Sequence, residues 1–158
     1  MVLLGTQNND FFRLLSEIEK NIKLGNINEP VIVQAGYTKF KSDCMRIFSM
    51  IPKEKLEDYV SKSNFVITHA GVGSIEMALK YNKKVIAVPR LKKYGEHVND
   101  HQIEIEKEFN HRGWILGIDD VSELGDALKK MPKFIPKKYY NNKDKKIVNI
   151  IKNYINKI

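Results

Sequence analysis

Cysteine, tryptophan and long apolar runs are scarce in this sequence, which has one Cys and one Trp among 158 residues. A single thiol, Cys44, cannot form an internal disulfide, and no basic region followed by an apolar stretch opens the chain. No run approaches the roughly 20 apolar residues of a membrane-spanning helix. We therefore expect neither secretion nor a transmembrane helix, and the reducing cytoplasm is the expected compartment.

The length of the chain is about that of one domain, so any two-lobed enzyme built from it is expected to need a partner chain. Its 42% apolar content is enough for a sizeable core. Residues 129–158 contain ten lysines and one acid, Asp144, so that segment carries +9 and residues 1–128 carry −1. Because nucleic-acid-binding folds spread basic residues over their surface, we expect no nucleic-acid partner. Binding of the basic tail to an anionic surface is left open.

Short β-branched runs alternate with helical patterns along the chain, as in βαβ units. The pattern predicts an α/β fold, a Rossmann-like parallel sheet of about six strands with helices on both faces. The predicted strands cover residues 2–5, 31–34, 46–48, 65–68, 85–88 and 114–117.

Apolar residues at helical spacing predict five helices between and after these strands. The fourth is predicted from Val98, Ile105 and Phe109, and Asp120 with Glu123 resembles a capping box that opens the fifth. Residues 1–130 are the predicted Rossmann-like domain. Residues 131–158 are predicted to be a connector and a basic amphipathic helix that packs on the domain or on a partner. The apolar face of that helix consists of Ile147, Ile151, Tyr154 and Ile158.

The turn after the fourth predicted strand is rich in small residues. Gly71 and Gly73 let backbone N–H groups approach a ligand, Ser74 adds a hydroxyl, and a helix N-terminus attracts anions. With His69 at the strand end, the turn predicts a phosphate or diphosphate cradle. The alternative is a tight strand-to-helix turn that needs glycine and binds nothing. Glu76 replaces the third glycine of GxGxxG and no GxxxxGK[ST] is present, which disfavours nicotinamide and ATP enzymes.

The loop after the fifth predicted strand concentrates polar side chains between residues 96 and 102. His97 and His101 stand at i, i+4, as in helical zinc sites, but Val98 follows the first histidine and no third ligand is evident, so a metal site is disfavoured. Asp100 and Gln102 have side chains suited to hydrogen bonds with sugar hydroxyls. The alternative is an ordinary capped helix start with its polar groups in water.

Three segments in order, THAGVGS at residues 68–74, VIAVPR at 85–90 and GEHVNDHQ at 95–102, resemble the C-terminal, donor-binding domain of family 28 glycosyltransferases. That domain is one half of a GT-B fold. The resemblance extends over nearly the whole chain and is strongest to the single-domain catalytic subunits of two-component bacterial capsule and exopolysaccharide glycosyltransferases.

The resemblance assigns roles to residues of this chain. It places the donor diphosphate at His69, Gly71, Gly73 and Ser74, and the donor sugar at Asp100, His101 and Gln102. It also places Thr6 at the cleft where donor and acceptor meet. Residues 49–51, ending at Ile51, correspond to the segment whose backbone contacts the uracil of the donor. Glu76 is a doubtful ribose ligand, because the family's ribose-binding Glu corresponds to Met77 here.

The resemblance implies a two-component, inverting transfer of a hexose from a UDP-sugar to a lipid-linked saccharide, in cell-surface polysaccharide or glycan synthesis. No cofactor or metal is expected. No certain catalytic residue lies in this chain: the general base is expected from a membrane-anchored, acceptor-binding partner subunit, with Glu96 and His97 as alternatives within the chain. Such a subunit would be cytoplasmic and peripheral at the inner face of the membrane. The alternative function is a non-catalytic regulatory subunit that binds a nucleotide sugar.

Overall fold

A computed structural model of the chain describes residues 1–139. The predicted amphipathic helix, with Ile147, Ile151, Tyr154 and Ile158, lies outside the described residues. Within residues 1–139, no helix is long and apolar enough to cross a membrane.

The fold is built on one six-stranded parallel sheet with the order β3-β2-β1-β4-β5-β6. This confirms the predicted fold class and strand number. The strands are β1 (Val2–Leu3), β2 (Val31–Gln34), β3 (Met45–Phe48), β4 (Phe65–Thr68), β5 (Lys84–Ala87) and β6 (Leu116–Gly117). The first strand is shorter than the predicted residues 2–5 because Gly5, at φ +71°, has left the extended region. The last is shorter at its start than the predicted residues 114–117.

In the described part of the chain, five α-helices connect or follow the strands. They are α1 (Phe12–Lys23), α2 (Lys53–Lys62), α3 (Val72–Lys80), α4 (His101–His111) and α5 (Leu124–Lys130). The predicted capping box is confirmed, since Asp120 accepts from the Ser122 amide and Glu123 accepts from the Asp120 amide. It opens a 3-10 turn, Val121–Glu123, that runs directly into α5.

The prediction that Val98 belongs to the apolar spacing of the fourth helix is wrong. The helix begins at His101, and Val98 precedes it with 75% of its surface exposed. Backbone N–H groups in this stretch pair with side chains instead of with a helical turn: Asn99 Oδ1 accepts from the His101 amide. Local side-chain pairing of this kind competes with helix and delays its start.

Alternation along the strands divides the core between the two faces of the sheet. Val2 packs with α1 and α5 on one face, and Leu3 packs with α2, α3 and α4 on the other. Val66 and Ile67 repeat this division on β4. A side-chain period of two on a parallel sheet covered by helices on both faces produces the continuous apolar runs seen in the sequence.

The segment after α5 crosses from one face of the sheet to the other. A 3-10 turn, Met131–Lys133, follows the helix directly, and Lys84 Nζ donates to the carbonyls of Met131 and Pro132. Tyr139 then stacks among Phe109 and Trp114 on the opposite face. Residues 131–139 therefore pass beneath the amino-terminal edge of the sheet, because Lys84 is the first residue of β5.

Candidate functional site

A cleft of about 450 Å³ opens at the carboxyl edge of the sheet, between the ends of β1 and β4. Strand order reverses there, with β2 and β3 on one side and β5 and β6 on the other. Open parallel sheets bind ligands at such a reversal. The cleft is lined by Leu3, Gly5, Thr6, Gln7, Gln34, Leu56, His69, Gly71, Val72, Gly73, Ser74, Met77, His97, His101, Gln102 and Ile105.

The imidazole of His69 is enclosed by two glycines. A Cβ on Gly5 would lie 2.6 Å from His69 Nε2, and a Cβ on Gly71 would lie 2.7 Å from His69 Cε1. Real Cβ atoms do not approach other atoms that closely, so both positions must lack a side chain for the ring to fit. The neighbouring Ala70 has φ +60° and is fully buried. Gly71 thus makes room for His69, a reason for glycine that the sequence pattern did not reveal.

His69 is neutral at physiological pH. Burial lowers its pKa to about 4, and the nearby Arg90 guanidinium acts in the same direction. His69 Nδ1 lies 3.0 Å from the Leu3 carbonyl. A carbonyl only accepts, so Nδ1 carries the proton and donates, and Nε2 keeps a free lone pair. In this state the ring offers an acceptor, and contact with a phosphate oxygen would require a second proton.

The first turn of α3 presents unpaired donors to the cleft. Gly71 is the N-cap and has no side chain to cap the helix, and no acidic residue stands in the first turn. Within residues 1–139, the amides of Val72 and Gly73 have no acceptor, whereas those of Ser74 and Ile75 reach the Gly71 carbonyl. Two N–H groups and the positive end of the helix dipole therefore face an open space.

Gly73 differs from Gly71 in its surroundings. A Cβ on Gly73 would have nothing within 4 Å. The open space beside it belongs to the cleft, which the residue lines together with Ser74. A side chain at Gly73 would therefore occupy ligand space without disturbing the protein.

Three side chains hold three successive backbone amides in the segment after β5. Gln102 Oε1 accepts from the Arg90 amide at 3.0 Å, and Glu96 Oε2 accepts from the Leu91 amide at 3.0 Å. Asp100 Oδ1 accepts from the Lys92 amide at 2.9 Å. Apart from a 3-10 turn, Lys92–Tyr94, the segment from 90 to 100 contains no helix or strand. Its shape thus depends on these side chains.

The contact with Arg90 also orients the amide of Gln102. A backbone N–H can only donate, so the side-chain oxygen of Gln102 faces Arg90 and its NH₂ group faces away. Gln102 is buried and lines the cleft. It therefore presents two N–H donors at the end of the cleft formed by α4, in addition to its role within the loop.

A partly buried ion pair ties the same segment to α1. Both carboxylate oxygens of Glu96 accept from Arg13, at 2.9 Å from Nε and 3.0 Å from Nη2. A third nitrogen of Arg13 donates to Asp120 at 3.0 Å, and the guanidinium lies over the ring of Tyr94. Glu96 is only 5% exposed and does not line the cleft. The structure does not support the alternative that Glu96 serves as general base, because its oxygens are occupied inside the fold.

Arg90 is the largest fully buried side chain among the described residues. Its Nη2 donates to the carbonyls of Leu4 and Asn9, at 2.9 and 3.1 Å, which joins the end of β5 to the loop after β1. Its Nε and Nη1 are buried without a partner in the described part of the chain. Burial lowers the pKa of this guanidinium, and the carboxylates of Glu96 and Asp10 oppose that shift.

The cleft brings together most of the residues that the sequence predicted as a site. They are Thr6, His69, Gly71, Gly73, Ser74, His101 and Gln102. Gly5, Gln7 and Gln34 line it too, although the sequence pattern assigned them no role in the site.

Three predicted residues lie outside the lining of the cleft. Ile51 is buried in the core beside Leu56, and the Asp100 carboxylate holds the Lys92 amide. Glu76 accepts a 2.9 Å hydrogen bond from the Tyr139 hydroxyl, which is far away in the sequence. Its carboxylate is thus engaged by the segment that crosses the sheet, and the doubt about a ribose contact is strengthened.

The helical zinc hypothesis for His97 and His101 loses its geometric basis. His97 precedes α4, and its Nδ1 lies 2.9 Å from the Asn99 carbonyl. Across residues 1–139, no group of three or more His, Cys, Asp or Glu side chains could hold a metal ion.

The fold and the position of the cleft define a Rossmann-like lobe, one half of a GT-B fold. A solved structure supports this class: the glycosyltransferase SnogD from Streptomyces nogalater matches with a TM-score of 0.50 and 15% identity, over 82% of this chain and 32% of that chain.

The chain belongs to glycosyltransferase family 28, whose C-terminal domain matches residues 1–158. The UDP-N-acetylglucosamine transferase subunit ALG13 of Candida glabrata is 39% identical over 67 residues, which is 42% of this chain and 32% of that protein. The chain thus spans about a third of the length of each of these two relatives.

Proposed function

We propose that this chain is the donor-binding subunit of a two-component inverting glycosyltransferase. It would transfer a hexose from a UDP-sugar to a lipid-linked saccharide during cell-surface polysaccharide or glycan synthesis. Family membership supports the transferase class, and the relative from Candida glabrata is named as a subunit of a UDP-N-acetylglucosamine transferase.

The observation that carries the proposal is the uncapped start of α3 in the cleft. The free amides of Val72 and Gly73, with the positive end of the helix dipole, suit an anionic diphosphate. As the bond from sugar to phosphate breaks, charge grows on the diphosphate, and fixed N–H donors stabilise that charge without reorganising. In this role the chain contributes to catalysis through its backbone.

The donor sugar is proposed to lie at the other end of the cleft, against α4. The free NH₂ group of Gln102 can donate to sugar hydroxyl oxygens, and His101 lines the same wall. Asp100 already holds the Lys92 amide with one oxygen, so its contribution to sugar binding would come through the loop that it supports.

Metal-independent transfer is part of the proposal. Mg²⁺ and Mn²⁺ prefer oxygen ligands such as carboxylates, and the residues lining the cleft include neither Asp nor Glu. The helix N-terminus would take over the neutralising role of a cation. Turnover that persists in EDTA would support this point, and loss of turnover restored by Mg²⁺ would contradict it.

An acceptor-binding partner subunit is proposed to cover the carboxyl edge of the sheet. Of the seven large apolar side chains that residues 1–139 leave exposed, five belong to segments that follow the carboxyl ends of strands, the edge at which the cleft opens. Aromatic and Met side chains are enriched in protein interfaces. The five are Phe12, Tyr37, Met50, Tyr94 and Val98.

The partner would also supply the general base and the link to the membrane. His69, within the cleft, is held neutral with a pKa far below that of a base working near pH 7, and Glu96, outside the lining of the cleft, is committed to Arg13. His97 lines the cleft and remains an in-chain alternative. Substituting His97 with Asn in the reconstituted complex tests it: near-normal turnover would leave the base with the partner.

Calorimetric titration of the full chain with UDP and with ADP tests the donor assignment. We expect weak binding of UDP and weaker binding of ADP, because half of a two-lobed cleft still holds the diphosphate and the base sets the preference. Equal affinity for both nucleotides would refute the uridine assignment, and no heat with either one from a folded chain would refute the site.

A regulatory subunit that senses a nucleotide sugar is the second candidate function, and the same cleft would serve it. The two differ in what His69 substitution does to the complex with a partner. Loss of basal turnover would support the catalytic role. Unchanged basal turnover with lost response to nucleotide sugar would support the regulatory role.

A further inference from the structure

We infer that Arg13 and Glu96 form a positioning pair that holds the segment from 90 to 102 in the shape that presents Gln102 to the cleft. The sugar-binding part of this inference rests on the proposed function, whereas the effect on loop structure does not. Neither residue lines the cleft, so the pair would act through the loop and not by touching a ligand.

The geometry of Glu96 carries the inference. One carboxylate accepts three hydrogen bonds, two from Arg13 and one from the Leu91 amide. Leu91 directly follows Arg90, whose amide holds the oxygen of Gln102. The ion pair therefore acts one residue away from the contact that orients the Gln102 amide.

Arg13 is itself fixed from two other directions. Its Nη1 donates to Asp120, in the capping box before α5, and its guanidinium stacks 4.4 Å from the centre of the Tyr94 ring. Tyr94 belongs to the same loop as Glu96. A bidentate guanidinium held at three points has little freedom, so it defines the place of Glu96 more strictly than a lysine could.

The pair joins elements that pack on opposite faces of the sheet. Arg13 lies on α1, and its partner Asp120 precedes α5 on the same face, whereas Gln102 lies in the first turn of α4 on the other face. Removing Arg13 would leave a nearly buried carboxylate without its cation. Such a group takes up a proton or turns toward water. In either case the Leu91 amide loses a charged acceptor.

The experiment compares Arg13→Met and Arg13→Lys with the unchanged 158-residue chain. The matched control is Lys20→Met, which removes an exposed cation from the same helix; the structure shows Lys20 paired with Glu17. Two readouts are taken: hydrogen exchange of the amides at residues 90–92, and calorimetric titration with UDP and with UDP-N-acetylglucosamine as the probes.

We expect exchange at residues 90–92 to accelerate about tenfold or more in Arg13→Met, with no change at residues 66–75. Arg13→Lys is expected to fall between Arg13→Met and the unchanged chain, and Lys20→Met to match the unchanged chain. In the titrations, Arg13→Met is expected to keep its UDP affinity within about twofold and to lose the additional affinity that the sugar provides.

Unaltered exchange at residues 90–92 in folded Arg13→Met would overturn the inference. An equal loss of UDP and UDP-sugar affinity would overturn it too, because it would mean a general structural defect. If Arg13→Met does not fold, Arg13→Lys decides by the same exchange readout. If the unchanged chain binds neither probe, the proposed function fails, while exchange still tests the pair.

Discussion

The two walls of the cleft are built by opposite means. The turn after β4 depends on missing side chains: glycines at positions 5 and 71 enclose the ring of His69, and backbone amides at the start of α3 face the opening. The segment after β5 depends on side chains that are present, with Gln102, Glu96 and Asp100 each holding one backbone amide.

This difference predicts how each wall should respond to mutation. Adding atoms should damage the turn after β4, and removing polar atoms should damage the segment after β5. Variants that add a Cβ to one wall or delete a hydrogen bond from the other therefore test the comparison separately.

The largest expected effect on stability comes from Gly71→Ala. The new Cβ would overlap the imidazole of His69, which is closed in on its other side by Gly5. Overpacking of this kind costs about 1–3 kcal/mol in the free energy of unfolding, and we expect the upper end because a ring cannot bend. Urea unfolding measures it.

The matched control for that variant is Gly73→Ala. Its Cβ meets open space within a helix, so the free energy of unfolding should stay equal or rise by up to about 1 kcal/mol. Equal destabilisation by both alanines would contradict the assignment of Gly71 to the packing of His69.

Glu106→Gln is expected to raise the free energy of unfolding by up to about 3 kcal/mol, in a pH-dependent way. Glu106 lies on α4, one turn beyond Gln102, and is 2% exposed. Burial raises its pKa from 4.5 to about 7, and Asp119 adds to the rise. The folded state therefore favours the protonated carboxyl, and its ionisation destabilises the fold as pH rises from about 4.5 to 7.

The gain in stability of Glu106→Gln over the unchanged chain should be greatest near pH 8 and vanish near pH 4.5. Thermal unfolding of both proteins across this range checks it. A gain that is constant with pH would contradict the titration of the Glu106 carboxyl in this range.

Gly73→Val should lower UDP affinity by about tenfold or more, equivalent to about 1.4 kcal/mol, while the fold remains intact. A β-branched side chain there would fill the open space beside the amides of Val72 and Gly73. Calorimetry gives the affinity, and circular dichroism checks the fold. Unchanged affinity would remove the diphosphate from this turn.

The smallest expected effect comes from a pair of variants at Gln102. Gln102→Leu leaves the Arg90 amide without its acceptor and should cost about 1 kcal/mol in the free energy of unfolding. Gln102→Glu keeps an acceptor for that amide but removes the NH₂ donors. It should therefore keep the structure of the loop, at some cost in stability because a buried carboxylate is disfavoured, and lose the gain in affinity that a UDP-sugar has over UDP. If both variants lose UDP affinity equally, Gln102 serves the nucleotide and not the sugar.

Much of the fold was predictable from local patterns. The β-branched runs predicted all six strands, because buried parallel strands have apolar residues on both faces. The spacing of Asp120 and Glu123 predicted the capping box. The predicted position of Val98 failed because apolar spacing alone ignored Asn99 and Asp100, which favour side-chain contacts with the backbone over an earlier helix start.

The motifs brought the right segments to the cleft but did not give the reason for each residue. The sequence pattern indicated Gly71 as a ligand-binding glycine. The overlap between a Cβ at this position and His69 becomes visible only once the turn is folded. Arg13 and Glu96 are 83 residues apart, so no local pattern relates them. The sequence left Glu76 as a doubtful ribose ligand. Its contact with Tyr139 could not be predicted, because it depends on the crossing of the sheet by residues 131–139.

The central claim is that a nucleoside diphosphate binds at the uncapped first turn of α3. Titrating the isotope-labelled chain with UDP and following each backbone amide by NMR tests it most directly. The account predicts that the amides of Val72 and Gly73 shift most, and that those of residues 90–92 shift little until a UDP-sugar replaces UDP. Saturating UDP that leaves the amides of Val72 and Gly73 unmoved in a folded chain would contradict it.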